Sequence, residues 1–364
     1  MTTSRHQIEP ADVSADVYAE RLLASALGAY EVLGAYVGDR AGWWRALADG
    51  PATAAEVARR SGTDERYVRE WLEMQAAYGV LSTDDLAPVD ERVYMLPPGP
   101  REVLTDERSL AFLGGLPRLV AAAAKQLPAL LEAYRTGTGV GWAEFGDDAY
   151  QAQAQLNRPW FEHRLADALG SLPEVDAVLA RPGAVVADVG CGAGHSTAAL
   201  ARAYPSARVE GWDVDAATVE LARRTVAEAG LEDRVEICPA SAEDLGAADR
   251  LDAAFAFECV HDLPRPVEVL AAVRRAVRPD GVVVVMDEAV ADRFTAPADE
   301  VDRLMYGFSL FTCLPDGRSS SPSVATGTVM RPATLAAYAR DAGFDSCDVL
   351  PVADFSLFRF YRLA

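Results

Sequence analysis

The run Val185-Val186-Ala187-Asp188-Val189-Gly190-Cys191-Gly192-Ala193-Gly194 carries the clearest chemical signal in this sequence. Glycines at alternate positions let the backbone turn tightly and lie flush against a ligand, because no Cβ intervenes. A helix opening at His195 presents unpaired N–H groups and a positive dipole end, which suit a carboxylate. Asp188, just before the loop, suits a cationic amino group better than a phosphate. Asp213 ends the next apolar run about twenty residues after the glycines, where a ribose diol is held in folds of this kind. The glycines alone fit nucleotide folds in general, and the two acids sharpen the reading. A dinucleotide fingerprint places its last glycine three residues after the second; here that position is His195, which disfavours NAD.

A second set of reactive groups lies downstream, in Glu258-Cys259-Val260-His261-Asp262 and in the pair Asp287-Glu288. His261 follows a fourth apolar run and can serve as a general base or simply cap the helix that starts near Pro264. Asp262 beside it can orient the ring. Asp287 and Glu288 end the fifth run, where they hold a polar substrate, orient His261, or are merely solvated. His195 either touches a ligand or caps its helix. His163 sits in a helical stretch where packing or exposure is the ordinary reading, and His6 is in the N-terminal tail. Cys259 is read as packed.

These groups need a sheet to align them. Short apolar runs at Ala184–Val189, Ala207–Trp212, Val235–Pro239, Leu251–Phe257 and Gly281–Met286 alternate with helical stretches near His195–Tyr204, Ala216–Ala229 and Pro264–Val277. Repeated β-α-β units imply a parallel sheet covered on both faces, with ligands at the carboxyl ends of its strands. Two closing strands, Ser346–Val352 and Phe355–Tyr361, suggest an antiparallel addition and bring the sheet to seven strands. The first third is helical. Ala15–Gly38 places Leu22, Leu23, Ala26, Tyr30 and Leu33 on one broad face. Thr53 and Glu56 form a capping box opening Ala54–Arg60, Asp64 caps a second helix through Tyr78, and Gly79–Thr83 pairs with Arg92–Leu96. That order is a winged helix. Leu110–Tyr134 is helical with breaks at Pro117 and Pro128, and the glycine-rich stretch 136–146 reads as a linker. The expected domains are therefore 1–140 and 141–364.

With the motifs in place, D-V-G-C-G-x-G resembles the first motif of class I S-adenosylmethionine-dependent methyltransferases. The order of helical region, winged helix, Asn157-Arg158-Pro159, glycine motif and Glu258–Asp262 is similar to an actinobacterial two-domain group of that family, as are Tyr306–Gly317 and Gly327–Pro332. The resemblance covers nearly the whole chain. It implies a Rossmann-like α/β domain with an N-terminal winged-helix domain, and S-adenosylmethionine as cofactor. It assigns Asp188, Gly190, Gly192, Gly194, Asp213 and Val214 to the cofactor, and the adenine edge to Ala240-Ser241-Ala242, where many relatives carry Asp in place of Ser241. Phe257 and Glu258 become the wall between cofactor and acceptor. His261 matches the base of small-molecule O-methyltransferases, with Asp262, Asp287 and Glu288 beside it. Asn157 and Arg158 approach the methionine carboxylate, and aromatics in 306–331 cover the acceptor or belong to the core. The implied activity is O- or C-methylation of a small molecule, in a homodimer built by the winged-helix domain. Two rivals remain: a winged-helix regulator that senses the cofactor, and a methyltransferase fold turned to non-methylating chemistry.

Composition bounds these readings. The chain has 364 residues, with 34 basic against 55 acidic side chains and a net charge of −21. Such a field repels polyanions such as DNA and anionic membranes. Residues 51–100 hold five arginines and nine acids, and a recognition helix needs the opposite balance. No apolar run approaches the roughly eighteen residues of a membrane helix, and 1–10 lacks a leader pattern, so a soluble cytoplasmic protein is expected. Cys191, Cys238, Cys259, Cys313 and Cys347 are scattered without a C-x-x-C pair, so neither a disulfide framework nor a metal site is expected.

Overall fold

The computed structural model describes residues 13–364; His6 lies outside them. The chain divides into two units, 1–105 and 106–364.

The first unit opens with α1 (Ala15–Arg40), capped by Ser14 and followed by α2 (Trp43–Ala48). Gly34 and Gly38 are the buried positions of α1, and they are glycine for steric reasons. A Cβ on Gly38 would fall 2.3 Å from Trp71, and one on Gly34 would fall 2.6 Å from Gln75. On the broad face read from the sequence, Leu22, Leu23, Tyr30 and Leu33 stay exposed. Strand β1 (Ala52–Thr53) leads into α3 (Ala54–Ser61), where Thr53 N donates to Glu56 Oε2 at 2.9 Å and Glu56 N to Thr53 Oγ1 at 3.3 Å. Gly62, left-handed at φ 69°, ends that helix. Asp64 caps α4 (Glu65–Ala77). β2 (Ser82–Thr83) and β3 (Val93–Met95) form the expected hairpin, and β1 adds to its other edge in the order β1-β3-β2. Helix α5 (Pro98–Thr105) closes the unit. On α4 the arginines are already engaged by acids, Arg66 with Glu70 at 2.5 Å and Arg69 with Glu65 at 2.8 Å.

The second unit starts with α6 (Gly115–Lys125), α7 (Leu127–Thr136), α8 (Trp142–Phe145), α9 (Asp147–Gly170) and α10 (Pro173–Leu179). The units thus part at 105–106, whereas the glycines of 136–146 suggest 140. The reason is that this stretch is packed: Val140 N donates to Pro315 O at 3.0 Å, and a Cβ on Gly139 would fall 2.1 Å from Ser319 N. Leu119, Leu130, Val140, Phe145 and Ala152 share one core, which holds α6 and α7 in this unit.

The sheet-forming part continues with β4 (Val185–Val189), α11 (His195–Ala203), β5 (Arg208–Asp213), α12 (Ala216–Glu228), β6 (Val235–Pro239), β7 (Leu251–Phe257), α13 (Pro266–Ala276) and β8 (Val277–Glu288). Then come α14 (Glu300–Phe308), a π turn (Ser309–Cys313), α15 (Leu314–Gly317), α16 (Pro332–Asp341), β9 (Cys347–Val349) and β10 (Phe358–Leu363). The order is β6-β5-β4-β7-β8-β10-β9, parallel from β6 to β8 and antiparallel at β10 and β9. Side chains alternate between two cores, Val186 and Val284 on one face and Ala187 and Val285 on the other, as a doubly covered sheet requires. The last two strands are shorter than the apolar pattern suggests, because Asp354 and Ser356 turn the chain at φ 55° and 52°. The architecture is the expected one, a mostly parallel seven-stranded α/β domain preceded by a winged helix.

Candidate active site

Chain order reverses at β4, whose neighbours β5 and β7 lie on opposite sides, and a ligand crevice forms where such a switch occurs. A cavity of about 880 Å³ lies there, bordered by the glycine loop, Asp213, Glu258, His261 and Glu288.

The loop is shaped by its glycines. Gly190, Gly192 and Gly194 have φ of 65°, 53° and 77°, a region that costs other residues of order 1–3 kcal/mol. A Cβ at Gly190 would fall 2.6 Å from Cys259 Cβ, while one at Gly192 would meet only open space. Gly190 is therefore glycine for packing and Gly192 for approach to a ligand. Asp213 pins the loop: its Oδ2 accepts from Gly192 N at 3.0 Å and its Oδ1 from Asp215 N at 2.9 Å. Burial raises its pKa, against those backbone hydrogen bonds. Val214, three-quarters exposed, and Ser241 and Ala242 also border the cavity. Ser241 Oγ is occupied by capping Glu243 N at 3.2 Å.

Asp188 is placed differently from expectation. It is 0% exposed and does not border the cavity. Ser196 and Thr197 donate to its Oδ2 at 2.7 and 2.5 Å, so it ties β4 to the first turn of α11. Burial raises its pKa to about 6 despite those two hydroxyls. His195 does border the cavity, and burial, with Arg158 nearby, lowers its pKa to about 4. Arg158 pairs with Glu162 at 2.9 Å and is not on the cavity wall; Asn157 is, but it donates to Glu258.

Glu258 leaves β7 at φ 53°, a strained conformation for a non-glycine residue. Its N–H donates to Met286 O at 2.7 Å, and its carboxylate accepts from Asn157 and from Gln153 at 3.0 Å. Burial raises its pKa to about 7. Gln153 has no motif around it and was not singled out from sequence; its place one turn before Asn157 on α9 is the signal that links them. Phe257 forms wall beside it, stacked on Phe255 at 5.3 Å.

His261 is the centre of a buried cluster. It is 2% exposed, with Asp287 and Glu288 at 1% and 2%. Nδ1 lies 2.8 Å from Asp287 Oδ1 and 3.2 Å from Glu288 Oε2, and Nε2 lies 3.3 Å from Asp262 Oδ1. Register brings the acids there, since β8 runs parallel to β7 with Met286 opposite Phe257, so the end of β8 lies beside the segment that leaves β7. Burial alone would lower the pKa of His261, but Asp262, Glu288 and Asp287 together hold it well above the ordinary histidine value. Burial pushes Glu288 well up, whereas His261 offsets burial at Asp287 and takes it down. Asp262 and Glu288 border the cavity with His261, whereas Asp287 does not, so Asp287 holds the ring from behind. Cys259 is packed, its Sγ donating to Val189 O at 3.1 Å. His163 is exposed on α9.

The segment 306–331 divides between both expected roles. The π turn, a feature common at functional sites, puts Thr312 and Cys313 on the cavity wall with Phe308 and Asp316. Met330 is core, Arg331 pairs with Asp302 at 3.1 Å, and Tyr306 and Phe311 are largely exposed. Trp142, Tyr150 and Asp316 were also missed from sequence. Trp142 lies in the stretch read as linker, Tyr150 early on α9 and Asp316 on α15, and Trp142 N donates to Asp316 Oδ1 at 2.7 Å beside the cavity.

Residues 186–281 match the family model described as a methyltransferase domain. That match lies within the second unit. Residues 29–106 match an Rv2258c-like winged helix-turn-helix domain. The chain is 28% identical over 293 residues to a mitomycin biosynthesis 6-O-methyltransferase from Streptomyces lavendulae, covering 76% of this chain and 80% of that one. It is 26% identical over 237 residues to 24-methylenesterol C-methyltransferase 2 from Oryza sativa subsp. japonica, covering 64% and 60%. The matches to this plant enzyme and two further curated relatives span 60%, 50% and 38% of their lengths. An O-methyltransferase family protein from Burkholderia thailandensis shares the fold at a TM-score of 0.70 and 20% identity, covering 96% of this chain and 98% of that one.

The cofactor of a methyltransferase domain of this class is S-adenosylmethionine, and the cavity fits it. Gly192 leaves open space where a side chain would stand, α11 opens at His195 with no side chain capping its first N–H groups, and the Asp213 carboxylate borders the same space. Those features supply close backbone approach, a carboxylate seat and a diol acceptor.

Proposed function

We propose that the protein is an S-adenosylmethionine-dependent methyltransferase acting on a hydroxyl or carbon of a small, largely apolar secondary metabolite. The observation that carries this is one continuous cavity joining the glycine loop and Asp213 to His261 and Glu288. The cofactor, when bound, supplies a methyl group made electrophilic by a sulfonium. Gly190, Gly192, Gly194 and the start of α11 hold its amino-acid end, Asp213 and Val214 its ribose, and Ser241 and Ala242 its adenine edge. Phe257 and Glu258 separate it from the acceptor, and Asp188 positions the loop from behind.

In-line displacement is mostly a matter of positioning. Where the acceptor is a hydroxyl, neutral His261 takes its proton at Nε2. Asp287 fixes the ring through Nδ1, and the surrounding carboxylates stabilise the imidazolium that forms. The protein acts as a homodimer joined through the exposed face of α1. The regulator reading is weaker, because the arginines of α4 are paired with its own acids. Calorimetry with S-adenosylhomocysteine, then mass spectrometry of candidate phenols and enols with the cofactor, tests the proposal. Absence of cofactor-product binding would end it. Conversion without the mass gain of one CH2, with cofactor retained, would favour the non-methylating alternative instead.

A further inference from the structure

A thiol converges with two groups of the His261 cluster. The π turn sets Cys313 on the cavity wall, and its side chain contacts both Asp262 and His261. A donor atom from each of His261, Asp262 and Cys313 lies within 4.8 Å of the other two. His261 Nε2 and Asp262 Oδ1 are 3.3 Å apart. Zinc bonds of about 2.0 Å to nitrogen and oxygen, at tetrahedral angles, put two such atoms about 3.3 Å apart as well. The set is nitrogen, oxygen and sulfur, which suits Zn2+ and Co2+ and not the oxygen-seeking Mg2+ or Ca2+.

An independent observation comes from the far side of the ring. Nδ1 lies 2.8 Å from Asp287 Oδ1, and Asp287 is 1% exposed and off the cavity wall. A buried carboxylate on Nδ1 fixes the tautomer that leaves the Nε2 lone pair free, and metal-bound histidines carry such an outer partner. On the near side, His261, Asp262 and Cys313 all border the cavity, so a fourth position stays open to water or ligand. The spacing of the cysteines could not show this, since Cys313 alone among them takes part.

We propose that His261 Nε2, Asp262 Oδ1 and Cys313 Sγ form a site for a zinc-class divalent cation, and that its occupation withdraws His261 from proton transfer. Binding exchanges the cation for two protons, one from the thiol and one from the imidazolium, so the cluster keeps its charge. The loss of the base rests on the methyltransferase reading; binding itself does not.

The test titrates the full chain, first stripped with a chelator, with Co2+. A single equivalent is expected to bind, with a thiolate-to-cobalt charge-transfer band that an equivalent of Zn2+ abolishes. Cys313→Ser should lose that band and weaken Zn2+ binding by about 100-fold in competition with a chromophoric chelator. Cys238→Ser and Cys347→Ser, at the other two partly exposed thiols, should keep both. X-ray absorption of the zinc-loaded wild type is expected to show a single sulfur among nitrogen and oxygen ligands, a result that needs no variant to fold. No band, no sulfur ligand, or a band that survives Cys313→Ser would overturn the site. With a hydroxyl acceptor in hand, stoichiometric Zn2+ should lower turnover by about 10²-fold or more, and a chelator should restore it. Full turnover by the zinc-loaded protein would overturn the block on proton transfer. If S-adenosylhomocysteine does not bind yet the Cys313-dependent band is present, the site stands, and the methyltransferase reading fails together with the block. If it binds and the band is absent, only this inference fails.

Discussion

His261 cannot take a proton while it already carries one, and three carboxylates favour the charged ring. Activity on a hydroxyl acceptor should therefore rise with pH, with kcat/KM increasing through an apparent pKa above the ordinary 6.5 of histidine. Asp287→Asn removes a carboxylate that holds the proton, so the rising limb should move to lower pH in a pH–rate profile. A limb that stays in place would show that another group is the base. His261→Ala should lower kcat by about 10²- to 10⁴-fold on such an acceptor, with S-adenosylhomocysteine affinity by calorimetry little changed, because the ring is not among the groups seating the cofactor. The residue types at this site were legible from sequence, His261 and the two acids at a strand end. Their arrangement was not. Sequence left the partner open between adjacent Asp262 and the pair Asp287–Glu288; the 2.8 Å contact belongs to Asp287, twenty-six positions away, because strand pairing and not chain proximity sets that distance.

At the scale of elements, the β4–loop–α11 unit carries its own test. Asp188 is fully buried with a pKa raised from 3.8 to about 6. A group raised on folding lends stability that is complete below its unfolded value and disappears as pH climbs through its folded value. Wild-type stability relative to Asp188→Asn should thus fall by up to about 3 kcal/mol between pH 4 and 7 in urea melts. A pH-independent difference would mean that the carboxylate is ionised throughout. Gly190→Ala should destabilise the second unit by about 1–3 kcal/mol and weaken cofactor-product binding, since φ is 65° and the new methyl would fall 2.6 Å from Cys259. Differential scanning calorimetry and titration read the two effects separately. Strands and capping boxes were readable because periodicity and side-chain chemistry are local. The role of Gly139 was not: a glycine in a flexible loop and a glycine demanded by Ser319 and Pro315 look alike until the chain is folded.

For the molecule as a whole, the apolar face that helical spacing gathers on α1 stays exposed. Leu23 and Tyr30 are 63% and 62% exposed, and together with Leu22 and Leu27 they form an apolar stripe of the kind that marks an interaction surface. A second copy of the chain is the proposed cover. Light scattering should give a dimer for the wild type and a monomer for the double variant Leu23→Glu, Tyr30→Glu, with the melting of the second unit unaltered. A wild-type monomer at micromolar concentration would remove the dimer from the proposal. The division of the chain was only half legible for a related reason, since composition reveals loops but not which side of a loop owns the neighbouring helices.

The antiparallel pairing of β10 with β8 has a consequence for biosynthesis. A ribosome makes Val277–Glu288 well before Phe358–Leu363, and in that interval the apolar run Val282–Met286 has no neighbour on one edge. An open strand of that composition invites pairing with another nascent chain. Safe synthesis of this protein therefore awaits that late-made segment, and conditions that slow elongation near residue 350 should raise aggregation.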